Sequence, residues 1–377
     1  TYDSDILIVG GGLNGPATAL ALARAGLRVT IVDALPPETR RNDDFDGRGY
    51  ALALASVRLL DRIGVWDRVR ENSQPMLEIK VTDGRAGEAP SPFLLHFDHE
   101  NDLIPLRNSE AVVDQSVEAA GIRVTLSSGD TLSTRLLIGC DGRSSGTAER
   151  AGIKRTGWAY GQTALVCAIA HEKPHNGIAH QLFLPPGPLA ILPLPGKRSS
   201  IVWSETAERA AAFNGLSDAD YLEVLRPRFG DFLGEISLEG QRFTYPLSLS
   251  IANEFVADRL ALVGDAAHGM HPVAGQGLNA GLRDIGALAQ VLGEAQRRGE
   301  DIGAIDVLRR YQEWRRFDTA TLALTTDLSN RLFSSDNPLL RVARDVGMGA
   351  VNALPGLRRG FIREAAGLTG ELPDLMR

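Results

Sequence analysis

The stretch DILIVGGGLNGPATALALARAGLRVTIVD, Asp5 to Asp33, decides the architecture of this chain. Residues 5–10 are β-branched and apolar and end in glycine, the composition of a short buried strand. Residues 14–25 read as a helix closed by Gly26, and residues 27–33 as a second strand, so a βαβ unit fills the first 33 residues. Inside it, Gly10-Gly11-Gly12-Leu13-Asn14-Gly15 is a G-x-G-x-x-G placed directly after a strand and opening a helix. In such a turn Gly10 permits the tight bend, Gly12 lets backbone approach a pyrophosphate, and Gly15 lets the helix pack close to the sheet. The helix N-terminus offers free N–H groups and partial positive charge to phosphates. Asp33 ends the second strand, where an acid binds a ribose hydroxyl. The unit predicts a Rossmann-like dinucleotide site, and by itself leaves FAD and NAD equally open.

Outward from this unit the pattern alternates. A polar loop spans about Pro36 to Gly47, and a helix is predicted from about Ala55 to Ile63, capped by Gly64. Residues 76–106 hold short alternating segments (EIKVTD, FLLHF), which predict antiparallel sheet. GIRVTL, the turn SSGD and TLSTRLLIG read as a hairpin over 121–139. Residues 160–250 are mostly strand-like (TALVCAIA, LAILPL, SSIVWSE, QRFTYPLSLS), with a helix around Asp218–Phe229. Residues 276–298 and 304–333 carry long helical patterns, and 336–377 reads as helix broken at Pro338, Pro355 and Gly360. The order predicts an α/β protein: a Rossmann-like domain interleaved with an antiparallel-sheet substrate domain, followed by a helical C-terminal part. The expected segments are 1–75, 109–157 and 251–300 for the nucleotide domain, 76–108 and 158–250 for the substrate domain, and 301–377 for the helical part.

Composition narrows the function. The 377 residues are 44 % hydrophobic and 23 % charged, with 40 Gly and 19 Pro, ordinary for a globular protein. No apolar run approaches the ~18–20 residues of a membrane helix, and the first residues lack the basic and small-residue features of a secretory signal. Two cysteines, Cys140 and Cys167, make no disulfide scaffold, and no Cys/His cluster has zinc spacing, so no metal is expected. A reducing cytoplasm is the expected compartment. The net charge of −7 argues against nucleic acid as a partner.

Two further motifs carry chemistry. Arg259–Asn279, RLALVGDAAHGMHPVAGQGLN, reads as strand, glycine turn and a loop with two glycines. Asp265 is expected at the strand's carboxyl end, where open α/β sheets place ligands. A helix starting near Gln276 would favour negative charge on a flat ligand held by PVAGQG. Leu137–Ser145, LIGCDGRSS, is a strand ending at Asp141-Gly142. His268 and His271 flank the Gly-Asp loop; a histidine bonded to backbone is the favoured reading over a phenol base, and no catalytic side chain is assigned.

In this order the three motifs resemble the fingerprints of the class A flavoprotein monooxygenases, the para-hydroxybenzoate hydroxylase-like fold. FDGRGYALALASVRLLDRIGVW (Phe45–Trp66) and REAAGLTGELPDLMR (Arg363–Arg377) resemble the ubiquinone-biosynthesis hydroxylases within it, most of all the 2-octaprenyl-6-methoxyphenol hydroxylase type. The resemblance implies bound FAD, with NAD(P)H as a transient co-substrate. NAD(P)H reduces FAD, O₂ adds to give a C4a-hydroperoxyflavin, and its distal OH goes to the ring of a polyprenylated phenol. It places Gly10, Gly12 and Gly15 at the pyrophosphate, Leu13 and Asn14 among the cofactor-binding residues, Asp33 at the ribose, and Arg48 near the FAD. Asp141 falls in a motif linked with FAD and NAD(P)H, and Asp265 at the ribityl or pyrophosphate part. Pro272, Gly275, Gln276, Gly277, Leu278 and Asn279 would line the isoalloxazine ring. One departure stands out: between Asn108 and Ser109 the family carries a helix of about two dozen residues. Either this loop is truly short or residues are missing there; the second is favoured.

A flavin site of this kind needs an apolar wall, for which Phe183 and Leu189–Leu194 are candidates, with plain core as the alternative. From Arg331 to Arg363 six Arg stand against two Asp. That stretch reads as a helix with a solvated basic face, or as a peripheral contact with the inner membrane or a lipid carrier. Other ubiquinone-biosynthesis proteins are expected partners. Three alternatives are weighed: a hydroxylase of a soluble small phenol, a flavin-binding scaffold in a biosynthetic complex, and a flavin-dependent halogenase. The last resembles a G-W-x-W-x-I-P pattern that Gly157-Trp158-Ala159-Tyr160 does not match.

Overall fold

Ile6, Leu7 and Ile8 have no exposed surface, because the strand that carries them is central in a parallel sheet covered on both faces. The computed structural model describes residues 2–36, 49–83, 106–184, 187–270, 276–333, 363–364 and 366–377. In chain order the strands are β1 (Ser4–Val9), β2 (Val29–Asp33), β3 (Glu78–Asp83), β4 (Leu106–Asn108), β5 (Val112–Val117), β6 (Ile122–Leu126), β7 (Thr131–Gly139), β8 (Arg155–His171), β9 (Ile178–Leu184), β10 (Gly187–Leu194), β11 (Arg198–Thr206), β12 (Ile236–Ala252), β13 (Val256–Ala257), β14 (Leu260–Leu262) and β15 (His268–Gly269). The helices are α1 (Asn14–Arg24), α2 (Leu54–Arg62), α3 (Trp66–Val69), α4 (Gly146–Arg150), α5 (Ala207–Asn214), α6 (Asp218–Phe229), α7 (Gln276–Arg298) and α8 (Ile305–Phe333).

The first sheet runs β13-β14-β7-β1-β2-β4, with β5 and β6 added beside β7. β14, β7, β1, β2 and β4 are mutually parallel. The hairpin expected over 121–139 is present as antiparallel β6 and β7. The main core packs this sheet with residues of α1, α2, α7 and α8, including Ala19, Leu59, Leu288 and Tyr311. The second sheet runs β15-β12-β8-β11-β10-β9-β3. Its own core sets Leu165, Cys167, Leu189, Ile191 and Trp203 on one face against Tyr221, Leu225 and Phe229 of α6. Trp203 stacks on Phe213 at 5.1 Å between centroids, and the Arg228 guanidinium lies 4.9 Å from the Trp203 ring.

Several expectations need correction. β3 joins β9 in parallel, not antiparallel, because its partner is supplied about a hundred residues later in the chain. Leu106–Asn108 belongs to the first sheet beside β2, so sheet membership departs from the expected 76–108 segment. His268–Gly269, expected in the nucleotide domain, pairs with β12 of the second sheet. Residues 366–377 are extended chain and turns closed by one 3₁₀ turn, Asp374–Met376, not helix. α5 was not foreseen; Thr206 ends β11 and accepts a hydrogen bond from Arg209 N as the helix cap, so strand passes into helix without a loop.

Candidate functional site

Parallel register puts the carboxyl ends of four strands at one edge. Val9 lies level with Val32 and Gly139, and Gly139 with Leu262. Gly10, Asp33, Asp141 and Asp265 follow or end these strands, so one edge gathers all three sequence motifs.

The turn between β1 and α1 is packed from below and open above. Gly10 has φ 107°, and a Cβ there would stand 2.5 Å from the Cys140 carbonyl oxygen. A Cβ on Gly15 would overlap the Gly10 carbonyl, which is why the helix can sit this close to the sheet. A Cβ on Gly12 would meet nothing within 4 Å. Leu13, at the N-cap, makes no side-chain cap, and the first turn of α1 carries no acid. Buried Asp33 lies with its carboxylate against Gly11 and accepts from Leu35 N at 3.4 Å. The chain passes directly from Asn108 to Ser109, which takes φ 62°, and Glu110 N then bonds the Asp33 carbonyl at 3.1 Å. The short connection therefore closes against the end of β2.

Asp141 turns inward. Its carboxylate accepts from Ser145 Oγ at 2.6 Å, Thr147 N at 3.0 Å and Thr147 Oγ1 at 2.9 Å. Ser145 Oγ in turn caps α4 through Ala148 N at 3.0 Å. The Asp-Gly motif thus shapes the turn after β7.

The Gly-Asp loop is fixed from three sides. The Asn14 amide wedges between Gly264 (φ 65°) and Gly281 of α7, where any Cβ would collide with it. Asp265 pairs with Arg143 Nε at 3.1 Å, and Arg143 Nη2 also donates to the Met270 carbonyl at 2.8 Å. Arg155 donates to Ser250 Oγ at 2.8 Å, to the Asp265 carbonyl at 3.1 Å and to the Ala266 carbonyl. Desolvation lowers the pKa of Arg155, and Asp265 works against that shift. Neither arginine is marked by its local sequence; Arg155 acts on residues about a hundred positions away.

At the start of α7, Gln276, Gly277 and Leu278 are half-buried, and a Cβ on Gly277 would meet nothing within 4 Å. Leu278 packs on the main core. The Asn279 amide bonds residues 51–56: Oδ1 accepts from Ala53 N and Ser56 Oγ, both at 2.8 Å, and Nδ2 donates to the Ala51 carbonyl at 2.9 Å. It clamps residues 51–56 to α7. Arg48, His271, Pro272 and Gly275 lie outside the described residues, as does most of the basic stretch 331–363.

His268 differs from its expected backbone bonding. It is fully buried, with Nε2 2.6 Å from Asp284 Oδ2. Burial pushes the Asp284 carboxyl up, but His268 and Arg315 together outweigh it, so its pKa lies below the ordinary value. Burial pushes both thiols, Cys140 and Cys167, up to about 12, which removes them as nucleophiles. The proposed apolar wall divides. Leu189 and Ile191 belong to the core under α6, whereas Ala190 and Leu192 are half-buried on the opposite face, level with Val202 and Ser200.

The residues present fit an ADP-bearing flavin. Two helix N-termini, of α1 and α7, each open beside a glycine with free space, and a buried acid ends β2. Fold and site together define a nucleotide-binding protein with a second sheet set against its Gly-Asp loop. The family described as "FAD binding domain" matches residues 3–91 and 106–321, and the chain belongs to this family of flavin-dependent monooxygenases. The chain is 44 % identical over 402 residues to "Ubiquinone hydroxylase UbiL" of Rhodospirillum rubrum, covering 99 % of this chain and 92 % of that protein. It is 32 % identical to "3-demethoxyubiquinol 3-hydroxylase" of Escherichia coli, covering 97 % of this chain and 99 % of the relative. Human "Ubiquinone biosynthesis monooxygenase COQ6, mitochondrial" is 31 % identical, over 96 % of this chain and 92 % of that one. Among solved structures, p-nitrophenol 4-monooxygenase PnpA from Pseudomonas putida DLL-E4 superposes with a TM-score of 0.79 at 20 % identity, covering 97 % and 98 % of the two chains, and shares the fold.

Proposed function

We propose that this chain hydroxylates the aromatic ring of a polyprenylated phenol in ubiquinone biosynthesis. NAD(P)H and O₂ are consumed, one oxygen atom enters the ring as hydroxyl, and the other leaves as water. The observation that carries the reading is the 44 % identity to a ubiquinone hydroxylase along 99 % of the chain, with all three motifs at one sheet edge. FAD, when bound, supplies the electron store and the site of oxygen activation.

The chain's residues have separable tasks in this reading. Gly10, Gly12, Gly15 and the α1 N-terminus hold the pyrophosphate, Leu13 and Asn14 belong to the same cofactor-binding turn, and Asp33 holds the ribose. Asp265 meets the ribityl or pyrophosphate part, with Arg143 holding its carboxylate. Gln276 and Gly277, at the α7 N-terminus, face the ring, where the helix dipole stabilises negative charge. Asn279 acts behind them by fixing residues 51–56. Ala190, Leu192 and Val202 offer an apolar wall that keeps water from the reacting centre.

No helix among the described residues is long and apolar enough to cross a membrane. A polyprenyl tail is far larger than the ring it carries, so the proposal includes peripheral contact with a membrane surface or a lipid carrier. Tail length provides its test. With a C10-prenylated phenol, kcat/KM is expected to exceed that for the same ring without a tail by about 100-fold, near the ~3 kcal/mol of a few buried CH₂ groups. Equal kcat/KM for both would favour the soluble-phenol reading.

A further inference from the structure

Asp284 lies within α7 and is fully buried, yet three donors converge on it. Its Oδ2 accepts from His268 Nε2 at 2.6 Å and from Gly264 N at 3.0 Å, and its Oδ1 accepts from Arg315 Nε at 2.7 Å. His268 and Gly264 belong to the Gly-Asp loop, and Arg315 to α8. Arg315, 2 % exposed, also bonds Asp318 at 2.8 Å, and Asp318 receives Arg283 at 3.4 Å. Arg283 in turn donates to the Gly367 carbonyl at 2.8 Å. Within this cluster the Asp284 and Asp318 carboxylates face the Arg315 and Arg283 guanidiniums, so no buried carboxylate stands without a cationic partner.

A loop closed by glycine has little conformational preference of its own, so something outside must choose its shape. Gly264 N–H and the His268 ring both tie this loop to α7, whose N-terminus faces the ring in the proposed reading. Both ties end on one carboxylate oxygen. The His268 N–H donated from Nε2 to the carboxylate fixes the ring's orientation, and a buried carboxylate that accepts three hydrogen bonds holds one geometry.

We propose that Asp284 and His268 are positioning residues that set the Gly-Asp loop in its FAD-holding form, with Arg315 fixing Asp284. The inference rests on the flavin reading above and adds to it what holds the loop in shape. Neither residue is required to touch FAD.

The chemistry separates donor from bulk. Leu in place of His268 fills the space and removes the N–H, while leaving Asp284 paired with Arg315. Gln can return an N–H donor near the Nε2 position. FAD dissociation constants measured by flavin fluorescence on apo protein, with apo melting followed by circular dichroism, give the readout. The expected result is about 10-fold weaker FAD binding for His268→Leu and recovery to within about 3-fold for His268→Gln, a difference in binding larger than any difference in apo melting between the two accounts for. Asp284→Asn adds an independent arm: an amide cannot accept from all three donors, so binding weakens by at least as much as in His268→Leu. Wild-type affinity in all variants overturns the proposal. So does equal loss in His268→Leu and His268→Gln, or a loss that follows apo melting, either of which would assign plain packing. Wild-type apo protein that takes up no FAD contradicts the flavin reading itself and this proposal with it.

Discussion

Gly12→Val is expected to fold as the wild-type chain does and to bind FAD at least about 100-fold more weakly, a loss of ~2.7 kcal/mol. The position separates folding from binding. A Cβ on Gly12 meets nothing within 4 Å, and Gly12 is not among the glycines with positive φ, so the apo protein accommodates a side chain. In the proposed reading, the space it enters is the one that the motif keeps for the pyrophosphate beside the α1 N-terminus. Gly15→Val supplies the contrast, because its Cβ would overlap the Gly10 carbonyl and force α1 off the sheet. Its fold should be damaged together with its binding. Circular dichroism melting and FAD titration of both variants check the pair. Unaltered FAD affinity in Gly12→Val would remove the pyrophosphate from this turn.

Asn279→Ala is expected to destabilise the chain by about 3–5 kcal/mol, because several buried groups lose partners worth ~1–3 kcal/mol each. Ala53 N–H and Ser56 O–H would lose an acceptor, and the Ala51 carbonyl a donor. Ser56 is 1 % and Ala53 6 % exposed, so water replaces these bonds poorly. The same substitution frees residues 51–56 from α7 and should weaken FAD binding as a second effect. Urea unfolding followed by fluorescence measures the first, and FAD titration the second. A loss below about 1 kcal/mol would mean that the clamp is not what joins these segments.

The parts of the molecule that depend on near neighbours were legible in the sequence. Strand, glycine turn, helix and acid follow one another within residues 5–33, and local periodicity fixes each. The helix over Asp218–Phe229 was equally plain, with Ser217 as its cap. What depends on distant partners was hidden. Alternation in 78–83 marks a strand but not its direction, which Ile178–Phe183 decides. Asp141 sits where a ligand-binding acid would sit, and only Ser145 and Thr147 turning back upon it reveal a turn-shaping role. Resemblance alone gives Asn279 a place beside the ring, whereas its bonds to Ala51, Ala53 and Ser56, over two hundred residues earlier, are visible only in the fold. His268 and Asp284 are 16 residues apart in sequence, and the loop that brings them together follows no helical spacing.

Isotope tracing tests the central claim most directly. The FAD-loaded chain, given NAD(P)H and a short-chain prenylphenol under ¹⁸O₂, should yield a hydroxylated ring carrying one ¹⁸O atom, with about one NAD(P)H consumed per product and the oxidised flavin spectrum restored. Oxidation of NAD(P)H without a hydroxylated product, or a product whose new oxygen comes from water, would contradict the account.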